Sequence, residues 1–573
     1  MAGAEADDTT LTGGVRVASR RARDILLAQP RLVSVAVGTW FWWASLVPSL
    51  LPRSALVQGV IGAVSFTIGW GVGSLVGQVW DRALKRTGRR DPLVATRPWP
   101  LVVVVALALV AAVAGTILWL RWQNDQRRVV GPDEVLGLAD AVQLWVATLL
   151  LATVVLLGGR LVCFIVIRID DQLPKRWPPM SRHLVAGASF AAAVVAGISV
   201  ILVVAVLPYL NSTYGDADAA PVPGILAPQV ATVSGGPGSL VQWSTLGAEG
   251  RLFTAGTTST DALRTFRPTS EPAVPVRVYV GLRDAPDAAA RADLAVQELE
   301  RTGGFQRAYL AVWTVTGTGW VDPVGAAGFE YAAGGDTAIV AQQYSFLPSW
   351  ISFLVDKDEA AEAATALYRA VHERWSQLPA GNRPRLVVFG ESLGSFGSES
   401  TFGRDTAAET LAAVSTAADS VLWVGPTGDN VAWNALQASR EPGSPVWAPK
   451  YGDGSVRLVD HGEHLTNTPT PKVLWVQHPS DPVGWWSWST LWATPAWMEQ
   501  PTGDDVPKEP SWFPVVTFLQ TTFDLINGFS ASPGHGHNYN PDFAYAWAAL
   551  VAAPGWTVAD TDHLAQTLVR VSE

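Results

Sequence analysis

The stretch VVFGESLGSFGSE, residues 387–399, places a serine between two glycines directly after an apolar, β-branched run. Gly390, Ser392 and Gly394 fit the pattern G-x-S-x-G, in which a serine stands at a sharp turn from a strand into a helix. The glycines permit the tight turn, while the serine is held in a strained backbone conformation. Because the pattern also arises by chance in Gly- and Ser-rich loops, the prediction of a nucleophilic serine depends on partners elsewhere in the chain.

A serine nucleophile needs a general base and an acid that orients this base. Asp481 follows the apolar run 472–477 and can hold an imidazole in the required tautomer; its alternative role is that of a turn residue before a proline. His535 and His537 lie in the Gly-rich stretch SPGHGHNYNPDF, just before a helix predicted from about residue 541. We predict His537, which is nearer this helix, as the base, and keep His535 as the second candidate or as a contact of the base or the substrate.

The transition state of acyl transfer also needs hydrogen-bond donors for its oxyanion. The backbone N–H of Leu393, directly after the serine, is one predicted donor. The second should come from a loop after an earlier strand, and TGTGW supplies Gly317, Thr318 and Gly319 as candidates. The alternative is that these three residues only form a turn.

A metal site is the competing interpretation of the histidines. It applies to the pair His535 and His537, and to His461 and His464 in DHGEH. Neither pair has further ligands at a useful spacing in the sequence. The sequence therefore predicts no metal and no cofactor.

The elements that must position these residues follow residue 238, where short β-branched runs alternate with helix-like segments. This alternation predicts a mostly parallel sheet covered by helices on both faces. Ligands of such folds bind at the carboxyl ends of the strands, where the predicted serine and acid both lie. The strands are predicted at 276–282, 308–317, 337–345, 385–390 and 472–477.

The first 210 residues have a different composition. Only 16% of the 573 residues are charged while 49% are hydrophobic, and most of this hydrophobic excess lies in that segment. Buried core helices are the alternative explanation, but so many long apolar runs without ionised residues favour an α-helical transmembrane bundle, because a spanning helix needs roughly 20 apolar residues. Pro48 and Pro52 shorten the first run. The five predicted spans are 33–51, 56–80, 99–120, 142–167 and 184–210.

Arginine and lysine residues cluster in the N-terminal tail and in the second and fourth connections between the predicted spans. Positively charged loops stay on the cytoplasmic side, so we expect a plasma-membrane protein with a cytoplasmic N-terminus and everything after Leu210 outside the cytoplasm. The single cysteine, Cys163, lies in the fourth run. The predicted outer domain therefore contains no disulfide and depends on its core alone.

These features divide the chain into four predicted regions. Residues 1–30 form a basic cytoplasmic tail and 31–210 the transmembrane helical domain. A Gly/Pro/Ala-rich segment marks a linker at 211–238. The extracytoplasmic domain is predicted to occupy 239–573.

With these motifs in place, the chain resembles the actinobacterial membrane-anchored α/β-hydrolases, known as alpha/beta-hydrolase family 9, with their multi-spanning N-terminal domain. The resemblance covers nearly the whole chain, through LGAEGRLF, RVYVGL, TGTGW, QQYSFLPSW, FGESLGS, SDPVGWW and GHGHNY in the expected order. It implies an α/β-hydrolase fold and a catalytic triad of Ser392, Asp481 and a histidine of GHGH. The natural substrates of the family are poorly defined, so the resemblance supports the reaction type better than the substrate.

The predicted function is that of a membrane-anchored serine ester hydrolase. A Trp-rich segment after Asp481, with Trp485, Trp486 and Trp488 as predicted substrate contacts, suits binding of acyl chains as well as contact with a membrane surface. We therefore expect a lipid or other long-chain ester of the cell envelope, bound under a Trp-rich lid. Ordinary packing of a cap onto the sheet is the alternative role of these tryptophans. We expect no nucleic-acid partner.

Two other functions fit the same sequence. An acyltransferase would use the same triad, and only product analysis with competing alcohols separates it from a hydrolase. Alternatively, the bundle is a transport or lipid-handling module, and its outer domain only binds a ligand. The presence of serine, acid and histidine argues against this second alternative, because a binding domain has no physical need for all three.

Overall fold

The computed structural model describes residues 32–87, 99–131, 134–268, 270–355, 357–452, 454–465, 471–508 and 510–572. Its N-terminal part is helical. The helix α5 contains one π-helical stretch, Leu202–Val206. The helices of this bundle are α1 Leu32–Ala44, α2 Ala55–Thr87, α3 Trp99–Val130, α4 Leu138–Gln172 and α5 Pro179–Ala219.

Four described helices, α2 to α5, are long and apolar enough to cross a membrane. Five spans were predicted, and the first, 33–51, differs. The described part of α1 has 13 residues, which give about 20 Å of helix against the roughly 30 Å of a hydrocarbon core. The chain leaves the helix before Pro48 and Pro52, because a proline lacks the N–H that a helix interior needs.

The segment after α1, residues 45–54, is instead a docking loop for the C-terminal domain. Asp524 of that domain is fully buried and accepts hydrogen bonds from the Ser49 hydroxyl and from the Leu50 N–H. Its second oxygen lies 3.4 Å from Nε of Arg53, which is also fully buried. The bundle and the C-terminal domain therefore share a buried ion pair.

Two glutamine side chains bind the backbone of this docking loop. Gln520 donates to the carbonyl oxygens of Ser45 and Val47 at 3.0 and 2.7 Å. From the bundle side, Gln126 of α3 donates to the carbonyl of Leu50 at 3.0 Å. Buried backbone carbonyls need such partners wherever the chain is irregular. The loop is thus held from both sides.

We expect Asp524→Ala to destabilise this contact strongly, because it leaves the Arg53 guanidinium buried without its counter-ion, at a cost of about 3–5 kcal/mol. The apparent Tm of the full-length chain in detergent should fall by several degrees. The double variant Arg53→Met, Asp524→Leu should regain most of the loss, since an apolar pair of similar volume often replaces a buried ion pair at little cost.

The ion pair between Lys357 and Asp429 is the matched control. Its N–O distance is 2.7 Å, but the two side chains are 39% and 52% exposed. Such exposed pairs contribute about 0–1 kcal/mol, so Lys357→Ala should leave Tm nearly unchanged. Equal losses for Asp524→Ala and Lys357→Ala would show that the buried pair is not a structural link.

The C-terminal part contains a seven-stranded sheet in the described residues, with the strand order β1-β3-β2-β4-β5-β7-β6. All neighbouring strands pair in parallel. Strands β1, β3, β5 and β7 are buried along their whole length, as expected when helices cover both faces. The strands are β1 Val276–Val280, β2 Tyr309–Thr314, β3 Thr337–Gln342, β4 Arg385–Glu391, β5 Ser420–Val424, β6 Val456–Val459 and β7 Val473–Val476.

Helices pack against one another on the two faces of this sheet. On one face α8, α11 and α12 are in contact, and on the other α9, α17 and α18. In a typical connecting helix, α8, the N-terminus is capped by Asp287, whose side chain accepts a hydrogen bond from the Ala290 N–H. The C-terminus is capped by Gly303, which has φ 72°. The helices are α6 Gly247–Ala255, α7 Thr260–Phe266, α8 Ala288–Thr302, α9 Pro323–Ala332, α10 Ser349–Val355, α11 Lys357–Ser376, α12 Leu393–Ser400, α13 Ala407–Ala417, α14 Val431–Ser439, α15 Pro482–Trp485, α16 Val516–Ile526, α17 Asp542–Val551 and α18 Val558–Ser572.

The predicted fold class is confirmed, with a helical N-terminal bundle and a parallel sheet covered by helices. The five predicted strands correspond to β1, β2, β3, β4 and β7, whereas β5 and β6 were not predicted. The chain changes direction across the sheet between β3 and β4, so that β2 and β4 become neighbours. Ligands of open α/β sheets bind in the crevice at such a switch point.

Candidate active site

Ser392 stands in the turn between β4 and α12. Its backbone has φ 53° and ψ −125°, a strained conformation for a residue with a side chain. The carbonyl of Ser392 accepts from the hydroxyl of Ser395 at 2.6 Å, and the Ser395 hydroxyl accepts from Asn430 at 2.9 Å. The surrounding side chains therefore hold the strained turn in place.

The two glycines of G-x-S-x-G are required by close backbone contacts. A Cβ at Gly390 would lie 2.5 Å from the carbonyl oxygen of Gly394, and a Cβ at Gly394 would lie 2.4 Å from that of Thr314 at the end of β2. Real Cβ atoms do not approach backbone so closely. The glycines thus let α12 start directly against β2 and β4.

Asp481 follows β7 and forms a bond with one of the two candidate histidines. Its Oδ2 lies 2.7 Å from Nδ1 of His537 and accepts the hydroxyl of Tyr539 at 2.7 Å. Its Oδ1 accepts a hydrogen bond at 2.8 Å from the N–H of Val483, which lies in the first turn of α15. Both acid and imidazole are fully buried, so the carboxylate fixes the ring orientation and the proton on Nδ1.

The other ring nitrogen of His537, Nε2, is buried and has no hydrogen-bond partner among the described residues. The His537 ring packs against Gly425, because a Cβ added at Gly425 would lie only 2.6 Å from Cε1 of His537. Gly425 follows Val424, whose carbonyl accepts the N–H of Ser392 at 2.9 Å. The imidazole and the turn of Ser392 therefore both lie at the end of β5, and Nε2 makes no hydrogen bond there.

His535 has a different partner. Its Nδ1 lies 3.3 Å from Oδ2 of Asp505, and its side chain is 26% exposed. Asp505 also accepts the hydroxyl of Ser480. The structure thus separates the two histidines of GHGH, since only His537 contacts Asp481.

The predicted oxyanion donors have unequal surroundings. Leu393 is the first residue of α12, and the first N–H groups of a helix lack intrahelical acceptors. In TGTGW, the N–H of Gly317 donates to the Tyr344 hydroxyl at 2.8 Å and that of Gly319 to the Thr316 carbonyl at 3.1 Å. Two of the three loop donors are therefore already used within the protein, and the second oxyanion donor stays a prediction.

Two buried carboxyl groups lie behind the serine. Burial raises the pKa of Glu391 well above its ordinary value, and the nearby charges of Asp322 and Asp481 raise this pKa further. Burial also raises the pKa of Asp322 to about 6, against the opposing effect of two backbone N–H groups of α9. Both shifts favour the uncharged form of these carboxyl groups, which weakens their competition with Asp481 for a positively charged imidazole.

The loop that carries His537 rests on the membrane bundle. Ser532 donates its hydroxyl to the carbonyl of Gly131 at 2.8 Å and its N–H to that of Val130 at 3.3 Å. A Cβ at Gly536 would lie 3.3 Å from the side chain of Leu51 in the docking loop. The position of the candidate base therefore depends on both halves of the chain.

The three tryptophans predicted as substrate contacts differ in exposure. Trp485 is buried and donates to the carbonyl of Pro479 at 2.8 Å, whereas Trp486 donates to the Thr522 hydroxyl at 2.9 Å. Trp488 is 60% exposed and stacks on Phe518 of α16 at 5.2 Å. Of the three, only Trp488 presents most of its surface outward.

Two side chains that contact the candidate base or acid were not predicted from the sequence. Tyr539, two residues after His537, donates to Asp481; burial raises its pKa well above 10, and the Asp481 charge raises it further. Phe529 has its ring 4.7 Å from that of His537 and is 57% exposed. The motif GHGHNY contains Tyr539 and could have indicated its contact with Asp481, whereas no sequence pattern indicated the contact of Phe529 with His537.

A parallel sheet with a serine at the strand-to-helix turn, followed along the chain by an acid and a histidine, defines the α/β-hydrolase class. Comparison with protein families agrees. The profile described as alpha/beta-hydrolase family matches residues 276–564, and that described as alpha/beta-hydrolase family N-terminus matches residues 46–257. The chain belongs to the alpha/beta-hydrolase family, as its sequence motifs predicted. No curated protein and no solved structure matches it significantly.

Proposed function

We propose that the protein is a membrane-anchored serine hydrolase that cleaves acyl esters. One observation carries the proposal: Asp481 binds Nδ1 of His537, and Nε2 of the same ring is free beside the turn that holds Ser392. A buried imidazole oriented in this way by a carboxylate is the arrangement that a general base requires. Family membership supports a hydrolytic reaction.

In the proposed reaction, Ser392 Oγ attacks the ester carbonyl while its proton passes to Nε2 of His537. The carbonyl oxygen becomes negatively charged and is bound by the N–H of Leu393 and a second donor. The C–O bond of the ester then breaks, and the alcohol leaves with the proton from His537. Water reverses these steps on the acyl-enzyme, and Asp481 stabilises the positively charged imidazole throughout.

We further propose a lipid or other long-chain ester as substrate. A contact between the end of α5 and the sheet supports this substrate class. The Asp218 carboxylate, near the end of α5, accepts a hydrogen bond at 3.0 Å from the side chain of Gln343, which directly follows β3. The bundle therefore contacts the carboxyl edge of the sheet, where the candidate triad lies. Aromatic rings continue between the two parts, with Trp40 of α1 at 5.9 Å from Phe513. An acyl chain leaving the bilayer would meet apolar side chains on its way to His537.

Full-length protein in detergent should hydrolyse p-nitrophenyl palmitate with a lower KM than p-nitrophenyl acetate. Phe529→Ala and Trp488→Ala should raise KM for the palmitate about tenfold and leave KM for the acetate within about twofold, because each buried methylene contributes about 0.8 kcal/mol, or roughly fourfold in KM. The measurement is the chain-length series of KM and kcat for each variant.

Val558, 60% exposed at the start of α18, provides the matched control. Val558→Ala should change neither KM. If Phe529→Ala and Trp488→Ala change KM for both esters equally, these rings have only a structural role and the proposed lipid substrate is contradicted. If the wild-type protein hydrolyses none of the esters, the proposal that it is an ester hydrolase is contradicted.

We also propose that the hydrolase domain lies outside the cytoplasm, at the plasma membrane. The basic residues of the second and fourth connections, between α2 and α3 and between α4 and α5, support this orientation. In addition, two parts of the bundle contact the hydrolase domain, the docking loop and the end of α3. They belong to the first and third connections, which lie on the side opposite to the basic second and fourth connections. The side from which a charged serine-directed probe reaches the protein tests this orientation.

A further inference from the structure

A second group of histidine and aspartate side chains lies behind the candidate triad. His461 follows β6, His478 follows β7, and Asp542 begins α17. One ligand atom from each of these residues lies within 4.8 Å of the other two. The three residues are far apart in the sequence and meet only because β6 and β7 are neighbours beneath α17.

His478 has one ring nitrogen whose proton is fixed. Its Nδ1 lies 2.8 Å from the carbonyl oxygen of Gly536, which can only accept, so Nδ1 carries a proton. Its Nε2 lies 3.0 Å from Oδ2 of Asp542. In a neutral ring Nε2 has only a lone pair, and two acceptors would then face each other in a buried site. A cation must therefore lie between or beside them, either a proton or a metal ion.

The groups around the ligand atoms have the arrangement that is typical of a metal site. Metal-binding histidines almost always donate their other N–H to a carbonyl or carboxylate, as His478 does to Gly536. Binding carboxylates are likewise hydrogen-bonded, and Oδ1 of Asp542 accepts the N–H of Gly462 at 2.6 Å. His461 lies with its ring 5.0 Å from that of His478. Among the described residues its side chain has no hydrogen-bond partner, so its lone pair is available.

A further buried acid accompanies this cluster. Asp505 is 4% exposed, and its Oδ1 has no hydrogen-bond partner among the described residues. Asp505 binds His535, whose ring lies 5.9 Å from that of His461. A divalent cation beside two imidazoles would be favoured by the negative charge of this carboxylate.

We propose that His461, His478 and Asp542 bind a zinc ion that holds the histidine loop of the hydrolase. Two imidazoles and one carboxylate are a common zinc ligand set with a fourth position open to water. Zinc needs ligand atoms about 3.3 Å apart in tetrahedral geometry. The nitrogen of His478 and the oxygen of Asp542 are already 3.0 Å apart, and zinc binding would require the partly buried His461 ring to turn toward them. The site rests on no property of the serine, so it stands or falls separately from the proposed ester hydrolysis.

The zinc would act on the position of the base rather than on the substrate. His478 binds the carbonyl of Gly536, the residue before His537, and stacks on Tyr539 at 4.1 Å. Tyr539 in turn donates to Asp481. Zinc at this place would join the ends of β6 and β7 to the loop of the candidate base, and thereby stabilise the folded protein.

The test uses tag-free, full-length protein in detergent, stripped with a chelator and dialysed against zinc chloride. We expect about one equivalent of zinc in the wild type, measured by elemental analysis, and a higher Tm with zinc than without it. His461→Ala should retain less than one tenth of an equivalent and lose the zinc-dependent rise in Tm. His464→Ala, on the same loop but paired with Asp460, should behave like the wild type.

His461→Cys provides a readout that does not depend on stability. Loaded with Co²⁺, this variant should show a thiolate-to-cobalt charge-transfer band that the wild type lacks, because a cysteine at a metal-ligand position binds as the thiolate. Less than one tenth of an equivalent of zinc in the wild type would overturn the proposal and leave a protonated His478 paired with Asp542. Equal zinc binding by wild type and His461→Ala would also overturn it.

Discussion

Ser392→Ala is expected to abolish covalent labelling by a fluorophosphonate and to lower kcat for ester hydrolysis by at least about 10⁴-fold, as removal of a triad nucleophile does in other serine hydrolases. The physical reason is that no other hydroxyl occupies the strained turn between β4 and α12. Alanine adopts the same backbone conformation with one atom less, so Tm should change little. Labelling is measured by mass spectrometry of the peptide that contains residue 392.

Ser400→Ala is the matched control on α12. The Ser400 hydroxyl donates to the carbonyl of Phe396 within the helix at 2.7 Å and has no proposed role in the reaction. This variant should label at the wild-type rate. Undiminished labelling of Ser392→Ala, or labelling of another residue in the wild type, would contradict the assignment of the nucleophile.

The same label tests orientation when it is applied to intact cells in two forms. A charged, membrane-impermeant phosphonate should label the protein as strongly as a permeant one if the hydrolase domain lies outside the cytoplasm. Labelling by the permeant probe alone would reverse the orientation and leave the serine assignment intact. If neither probe labels the protein, in cells or in lysate, the assignment of Ser392 as the nucleophile is contradicted.

The second large effect is expected at the two histidines. His537→Ala should lower kcat by about 10³-fold or more, because it removes the proton acceptor, whereas His535→Ala should lower kcat less than about tenfold. The difference follows from their partners: His537 is bonded to Asp481, and His535 to Asp505. The measurement is kcat for a short-chain ester, since the acyl chain then contributes little to binding.

Both histidine variants need a check of folding, because their loop also contacts the bundle. The Tm of each variant should be compared with that of Ser532→Ala, which removes a contact of the same loop with α3 without touching either ring. If His535→Ala loses more activity than His537→Ala at equal Tm, His535 is the base and the bond between His537 and Asp481 is structural.

Local sequence information was sufficient for the elements that carry the candidate site. G-x-S-x-G after a β-branched run indicated the turn at Ser392, and its two glycines are required by backbone contacts under 3 Å. The β-branched and apolar runs at 276–282, 308–317, 337–345 and 385–390 indicated β1 to β4, since strands buried on both faces consist of continuous apolar residues. The edge strand β6 has four residues, as the predicted β7 does, but Arg457 interrupts its apolar run.

The sequence by itself determined the family, the fold class and the presence of helices long and apolar enough to cross a membrane, because each depends on periodicity or spacing within a short segment. Contacts between distant segments were decided only by the tertiary structure. His537 meets Asp481 and His535 meets Asp505 because the chain returns to the same sheet edge, and no spacing rule indicates which pair forms. Likewise, His461 appeared to lack further metal ligands, since His478 and Asp542 reach it only through the pairing of β6 with β7. The buried ion pair between Arg53 of the docking loop and Asp524 has the same cause, because the two residues lie in opposite halves of the chain and no pattern near either of them indicates the other.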